Sequence, residues 1–272
     1  MVIFPNCKIN LGLNVLRKRE DGYHDIETVF YPIPIYDVLE IISSQDGKTQ
    51  LSATGISVGE YEQNLCLKAR HLLKDDYPEL PEIKMHLHKV IPMGAGLGGG
   101  SSDASFTLSL LNQKYNLNIP QQQLFDYALQ LGSDCPFFLL NKPALASGRG
   151  EIVETIELSL SGYKMLIVNP GIHLNTKEIF QEIKPAIPVK KIKEIIQQPV
   201  STWKYELIND FEEIVFPMHP LIKKIKENMY RHGAVYAAMS GTGSTLFGIF
   251  NSGDEINFPV EKEYFYKWAQ LL

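Results

Sequence analysis

The sequence predicts an α+β protein, on three observations. Apolar and polar residues alternate through about the first 45 residues, as half-buried strands do. A glycine-rich stretch at 94–100 then joins a strand-like segment to an amphipathic helix. Beyond residue 161, strands and helices interleave without the regular βαβ period of a doubly wound sheet.

The elements follow in chain order. "CKINLGLNV", "DIETVFYPI" and "YDVLEIIS" each alternate, and "DGYH" is the turn between the first two. A helix is predicted over about 64–74, where Leu65, Ala69, Leu72 and Leu73 share one side. "EIKMHLHKVI" reads as a strand through Ile83, Met85 and Leu87 and feeds the glycines. Ala104, Leu108, Leu111 and Tyr115 fall at i, i+4, i+7 and i+11, which predicts a helix over 101–115 capped by Ser101 or Ser102. A second helix is expected over 121–131, opened by Pro120 and closed by Gly132. Strands at 144–147 and 151–158 flank "GRG". "SGY" at 161–163 is the predicted junction, dividing the chain into domains 1–160 and 161–272. Helices are expected over 175–183, 189–197, 203–215 and 219–232, with strands at "KMLIVNP", "AVYAAMS" and "TLFGIF" and a second glycine turn, "GTGS".

Composition narrows the function classes. With 272 residues, 44% hydrophobic and 21% charged, the chain resembles an ordinary globular protein able to bury a substantial core. A net charge of -5 argues against a nucleic-acid or anionic-membrane partner. No apolar run approaches the roughly 20 residues of a membrane span. "MVIFPNCKIN" lacks the basic-then-apolar pattern of a secretory signal, so a cytoplasmic location is expected. Cys7, Cys66 and Cys135 are odd in number and widely spaced, which fits a reducing compartment rather than a disulfide framework. His86 and His88 share a strand face but have no partner at zinc-ligand spacing, so they read as structural. The lysines of "VKKIKEII" and "LIKKIKENM" alternate with isoleucines at helical spacing and read as solvated faces.

The glycines carry the chemistry. Five of the seven residues from Gly94 to Gly100 are glycine, a concentration that costs backbone entropy unless the conformation is needed. A Walker loop would require a lysine after its last glycine, and there is none. Gly94, Gly96 and Gly99 match G-x-G-x-x-G, yet no parallel strand and acidic residue follow as in a dinucleotide fold; Asp126 lies inside the second helix. The remaining reading is the phosphate loop of a non-Walker kinase. Successive glycine N–H groups form an anion-holding concavity, the helix N-terminus adds positive potential, and Ser101 and Ser102 can donate to phosphate or ligate Mg²⁺. Other residues stay open on sequence alone. Lys8 on an alternating strand is usually a surface residue, Asp134 between Gly132 and "PFFLL" is either a helix-end residue or a general base, and Phe180 is either core or ligand-facing.

"PMGAGLGGGSSDAS" resembles the phosphate loop of the GHMP kinases, "KINLGLNV" their first motif and "MSGTGSTLFGIF" their third, together spanning almost the whole chain. The resemblance implies a two-domain fold: an N-terminal ribosomal-protein-like α/β domain and a C-terminal ferredoxin-like α/β domain. It implies that Pro92, Met93, Gly94, Ala95, Gly96, Leu97, Gly98, Gly99, Gly100, Ser101 and Ser102 cradle the phosphates of ATP, and that Asn64 and Lys89 contact its adenine end. Mg²⁺ is required in principle, though no acidic ligand can be named. "KINL", "DGYH" with a Thr-x-Phe strand, "LGSDCPFF" and "NPGIHLNTKEIF" are similar, more narrowly, to the branch that phosphorylates CDP-methylerythritol at its tertiary 2-hydroxyl in the non-mevalonate isoprenoid pathway.

By that resemblance Lys8 and Asp134 are catalytic, Asn10 binds substrate, and Tyr23, His24, Phe30, Thr176 and Phe180 form the cytidine pocket, with Tyr23 and Phe180 as opposite stacking faces. Cys7 stands where members commonly carry alanine, a small-for-small change. The region after Pro185 resembles the family only loosely beyond the glycine motif. Two rivals are a mevalonate or homoserine kinase of the same superfamily, which would not need the cytidine clamp, and a non-catalytic nucleotide-binding regulator, which would not need both Lys8 and Asp134. The expected partner is a small-molecule substrate; oligomeric state is not legible.

Overall fold

Alternation in the N-terminal region produces two long strands, and shorter ones follow. In the computed structural model, which describes residues 1–271, these are β1 (Val2–Ile3), β2 (Asn6–Lys18), β3 (His24–Tyr36), β4 (Val38–Ser43), β5 (Gln50–Gly55), β6 (Ile83–Lys89), β7 (Ala144–Ser147), β8 (Ile152–Thr155), β9 (Tyr163–Asn169), β10 (Tyr236–Met239), β11 (Leu246–Asn251) and β12 (Phe265–Gln270). The helices are α1 (Leu65–Asp76), α2 (Gly99–Tyr115), α3 (Gln121–Leu131), α4 (Cys135–Leu140), α5 (Thr176–Glu182), α6 (Ile192–Ile195), α7 (Glu212–Met218) and α8 (Pro220–Arg231). Cα proximity groups the chain into two units. Met1–Cys7, Ile35–Met93 and Gly98–Asn141 form the first; Lys8–Pro34, Gly94–Leu97 and the chain from Lys142 on form the second.

The first unit holds a sheet of order β1-β4-β6-β5, in which β5 runs parallel to β6 and the other pairs are antiparallel. Register places Leu39 opposite Leu87 and Ile41 opposite Met85. These four are buried in one cluster with Ala69 and Leu73 of α1, Leu108 and Leu111 of α2, and Ala128 of α3. Each buried leucine contributes about 1.5–3 kcal/mol, so this layer holds α2, and therefore its N-terminus, in place. His86 and His88 hydrogen-bond the hydroxyls of Ser52 and Thr54 on β5.

The second unit has two sheets, of order β2-β3-β7-β8 and β10-β11-β9-β12, the latter antiparallel throughout. Ile222, Ile225 and Met229 form the apolar stripe of α8 and pack in one cluster with Leu246 and Phe250 of β11. Lys223 and Lys224 on the same helix are exposed, as their spacing predicts.

Several expected elements change. The 101–115 helix begins at Gly99, and its cap is Gly98 in the left-handed region; neither Ser101 nor Ser102 caps it. The expected 189–197 helix shrinks to α6. The expected 203–215 helix breaks into a 3₁₀ segment at Val200–Tyr205 and α7, because residues 208–210 are taken by β2: Leu13 N–H donates to Ile208 O and Asp210 N–H donates to Leu13 O, both at 2.9 Å. Among the described residues no helix is long and apolar enough to cross a membrane.

Candidate active site

Lys8 and Asn10 are two residues apart on β2 and so share a face. Both are buried, at 3% and 2% exposure. Lys8 Nζ donates to Asn10 Oδ1 at 2.6 Å and lies 4.5 Å from the centre of the Phe30 ring. Asn10 Nδ2 in turn donates to Thr28 Oγ1 at 3.1 Å, whose hydroxyl donates to Gly12 O. A buried ammonium is costly unless polar or charged groups compensate it, so Lys8 is an inward-facing group and not the surface lysine that its strand suggests. Phe30, 1% exposed, forms the wall against that ammonium.

The glycine loop is pinned to this strand: Lys8 N–H donates to Leu97 O at 3.0 Å. Gly94, Gly96 and Gly98 have φ of 61°, 77° and 68°, a region that only glycine enters without strain. At Gly96 the requirement is also steric, since an added Cβ would overlap the Ser240 carbonyl. Ser240 Oγ donates to Gly96 O at 2.7 Å and accepts from Asn10 N–H at 3.2 Å, so the second glycine turn supports both the first and β2. Ala95 and Leu97 are buried, which leaves the loop's polar presentation to main chain.

In the first unit the chain leaves the loop straight into α2. A helix of 17 residues concentrates about half a positive charge at its N-terminus, which suits an anion. The Ser102 hydroxyl in its first turn is buried and has no hydrogen-bond partner among the described residues. Lys89, at the end of β6, is ion-paired with Asp37 and, at 2.6 Å, with Asp103. Asp37 Oδ1 also accepts from the N–H groups of Val90 and Ile91, at 2.6 and 2.9 Å, fixing the lead into the glycine loop. Burial opposes the Lys89 charge, but the two carboxylates outweigh it and raise its pKa. Desolvation, aided by Asp37 and opposed by Lys89, pushes the Asp103 carboxyl well above the usual range. The ammonium expected at adenine is thus engaged by two carboxylates that the sequence reading did not single out. Its signal was present: a lysine at an inward position of an apolar strand requires a buried counter-charge.

Asn64 caps α1, with Oδ1 accepting from Cys66 N–H at 2.9 Å. It lines a pocket of about 330 Å³ with Val58, Gln63, Leu65, Met93, Gly100 and Asp103, so three of the residues expected at ATP meet there. Asp134 immediately precedes α4 and makes no capping bond to it. The adjoining turn is tied to α2 by Ser105 Oγ, which donates to Cys135 O at 2.7 Å.

Of the residues expected at cytidine, His24 and Phe180 are stacked, centroids 5.2 Å apart. Burial, with Lys18 adding to it, pushes the His24 imidazole below its usual value, so it is neutral at pH 7 with one donor and one acceptor nitrogen. Tyr23 is 55% exposed and carries the Arg149 guanidinium 4.7 Å from its ring centre. Thr176 is hydrogen-bonded to Thr242 of the second glycine turn at 3.2 Å. The contacts of Arg149 with Tyr23 and of Ser240 with Gly96 and Asn10 were not legible, because a "GRG" turn and a serine before a glycine look like ordinary turn residues.

A glycine loop that runs into the N-terminus of a long helix is an arrangement that suits the phosphates of a nucleotide. The family described as "GHMP kinases N terminal domain" matches residues 64–142, and "GHMP kinases C terminal" matches 188–259. A relative from Bacteroides fragilis named 4-diphosphocytidyl-2-C-methyl-D-erythritol kinase is 50% identical over 259 residues, covering 94% of each chain. The crystal structure of a 4-(cytidine 5'-diphospho)-2C-methyl-D-erythritol kinase superposes with a TM-score of 0.79 at 31% identity, covering 91% of this chain and 89% of that one. The mevalonate kinase of Methanococcus jannaschii superposes at 0.71 with 15% identity, over 100% of this chain and 98% of that one, a likeness of fold alone. The chain belongs to the GHMP kinases, in the family of the 4-diphosphocytidyl-2-C-methyl-D-erythritol kinases.

Proposed function

We propose that this chain transfers the γ-phosphoryl group of ATP to the tertiary 2-hydroxyl of 4-diphosphocytidyl-2-C-methyl-D-erythritol, giving the 2-phosphate and ADP in the non-mevalonate isoprenoid pathway. The observation that carries the reading is the buried Lys8–Asn10 pair joined through Lys8 N–H and Ser240 to the glycine loop, in a chain of this family. The alcohol oxygen forms the new bond to the γ-phosphorus, the bond from that phosphorus to the β-bridging oxygen breaks, and the hydroxyl proton passes to Asp134. A tertiary alcohol is a crowded nucleophile, so a carboxylate that orients it and takes its proton is useful. Lys8 offsets charge on the reacting oxygens, and the main chain of 92–102 holds the phosphates. Asn10, Tyr23, His24, Phe30, Thr176 and Phe180 bind the cytidine substrate, and Asn64 and Lys89 serve the adenine end.

The hydroxyls of Ser101 and Ser102 at the start of α2 would hold Mg²⁺, which would neutralise phosphate charge when bound; Ser102 Oγ is buried and finds no hydrogen-bond partner among the described residues. Among the described residues no group of three or more His, Cys, Asp or Glu could hold a metal ion, and ATP oxygens and water would complete its coordination. The working division into domains 1–160 and 161–272 and a cytoplasmic location belong to the same reading.

The test is ADP formation by the purified chain with ATP and Mg²⁺, comparing CDP-methylerythritol, methylerythritol 4-phosphate, mevalonate and homoserine. Turnover confined to the CDP compound supports the reading; turnover with another alcohol removes the cytidine assignment. Asp134→Asn is expected to lower kcat by at least about 100-fold while ATP still binds. Wild-type turnover by that variant sinks the proposed base.

A further inference from the structure

We propose that Asn209 is a positioning residue for phosphoryl transfer, holding the second glycine turn so that it fixes the phosphate loop and Asn10 together. Asn209 has no exposed surface, and its amide is fully engaged. Its Nδ2 donates to Met239 O and Gly241 O, each at 2.8 Å, while Oδ1 accepts from Phe211 N–H at 3.0 Å. The two carbonyls bracket Ser240. That serine donates to Gly96 O at 2.7 Å, accepts from Asn10 N–H at 3.2 Å, and sets its own carbonyl where a Cβ on Gly96 would stand. One side chain therefore determines the path of a three-residue turn whose middle residue touches both the phosphate loop and the strand bearing Lys8.

The other end of the connection is equally fixed. Residues 208–210 are laced to β2 by the Leu13–Ile208 and Asp210–Leu13 backbone bonds. The Asp210 carboxylate accepts from Val15 N–H at 2.7 Å and from Asn14 Nδ2 at 3.2 Å. Asn209 is thereby anchored to β2 three to five residues from Asn10 and grips the glycine turn from there. The closed path runs from β2 through 208–210, Asn209, the 239–241 turn and Ser240 to Gly96, and back to Asn10. Hydrogen bonds in such a loop are coupled, so removing one displaces the rest. A displacement of about 1 Å at a reacting centre can cost about 100-fold in rate.

The assignment rests on the kinase reading, and the experiment separates the two. Rates with ATP and the cytidine substrate are compared for the unmodified chain, Asn209→Asp, Ser240→Ala and the double variant. Asn209→Asp keeps the shape but sets a carboxylate oxygen against two carbonyls. The expected result is a kcat lowered about 10- to 100-fold, a raised KM for ATP, and a KM for the cytidine substrate within about 2-fold. Because both changes act on one contact, the double variant should lose little more than the worse single one.

Asn209→Asp within about 2-fold of the unmodified kcat overturns the proposal, as do losses that multiply independently. If Asn209→Asp does not fold, Ser240→Ala decides: a folded Ser240→Ala with unchanged kcat breaks the route from Asn209 to the loop. Which alcohol the unmodified chain phosphorylates tests the kinase reading alone. The variant-to-unmodified ratios are then taken with whichever alcohol turns over.

Discussion

The imidazole of His24 lies against the ring of Phe180 with centroids 5.2 Å apart and planes inclined by 30°. Phe180 is braced in turn by the edge of Phe211 at 4.7 Å and 73°. The pair joins the first residue of β3 to the middle of α5, elements about 150 residues apart in sequence. A base that stacks on Phe180 must share that ring with His24 or displace it. A neutral imidazole held against an aromatic face presents its ring nitrogens outward from the stack, where they can pair with a base edge.

Replacing Phe180 with leucine removes the aromatic face and keeps the apolar bulk that packs on Phe211. Base-aromatic stacking is worth about 1–3 kcal/mol, so KM for the cytidine substrate should rise roughly 5- to 150-fold while KM for ATP moves less than about 2-fold. Steady-state kinetics with each substrate varied in turn checks this. An equal rise in both constants would mean that Phe180 is a core residue, and the cytidine assignment would go.

Gly96 is the loop position where two independent constraints meet. Its φ of 77° disfavours any side chain, and a Cβ would run into backbone at Ser240, which cannot swing aside as a flexible side chain can. Gly96→Ala should therefore lower kcat by about 100-fold or more through displacement of the phosphate loop. Gly253, an exposed turn position where an added Cβ meets nothing, is the control position. Thermal melts of both variants show whether the loss is local. Full activity of Gly96→Ala would mean that the loop tolerates rearrangement and does not position phosphate.

The strands with clean alternation, β2, β3, β4 and β6, were legible because each packs one large-residue face on a core. β5 was not. "QLSATG" has no large apolar alternation, and its strand state comes from parallel pairing with β6, a tertiary fact. β12 is similar: "FYKWAQ" pairs antiparallel with β9. The broken 203–215 helix shows the same limit, since backbone bonds from Leu13 at a separation near 200 residues override local propensity. At the site, the glycine loop could be read from spacing and from its resemblance to a family. The Asp37–Lys89–Asp103 cluster could not, because its members are 14 and 52 residues apart and only the fold brings them together.

The thiols offer a direct check of packing. Cys66 and Cys135 are buried, and burial foremost pushes both thiols up to about 12. At about pH 8 both are protonated and shielded, so iodoacetamide should modify neither until the protein unfolds. Mass spectrometry of the native protein, with a denatured sample as reference, reads this out. Rapid native alkylation at Cys66 would show that the α1–α2 packing opens readily.

Asp103 makes stability depend on pH in a definite sense. Desolvation, reinforced by Asp37 and opposed by Lys89, holds its carboxyl above the value of an unfolded chain. The folded state therefore binds this proton more tightly than the unfolded state does. The associated stabilisation is fully present below the unfolded pKa of about 3.9 and is lost as pH rises through the raised folded value. Asparagine at this position cannot titrate, so Asp103→Asn lacks that contribution at every pH. Urea midpoints measured from about pH 5 to about pH 8 should show the unmodified chain losing more stability with rising pH than Asp103→Asn does. Parallel profiles would mean that Lys89 neutralises the Asp103 charge completely, and that the carboxyl titrates as it does in the unfolded chain.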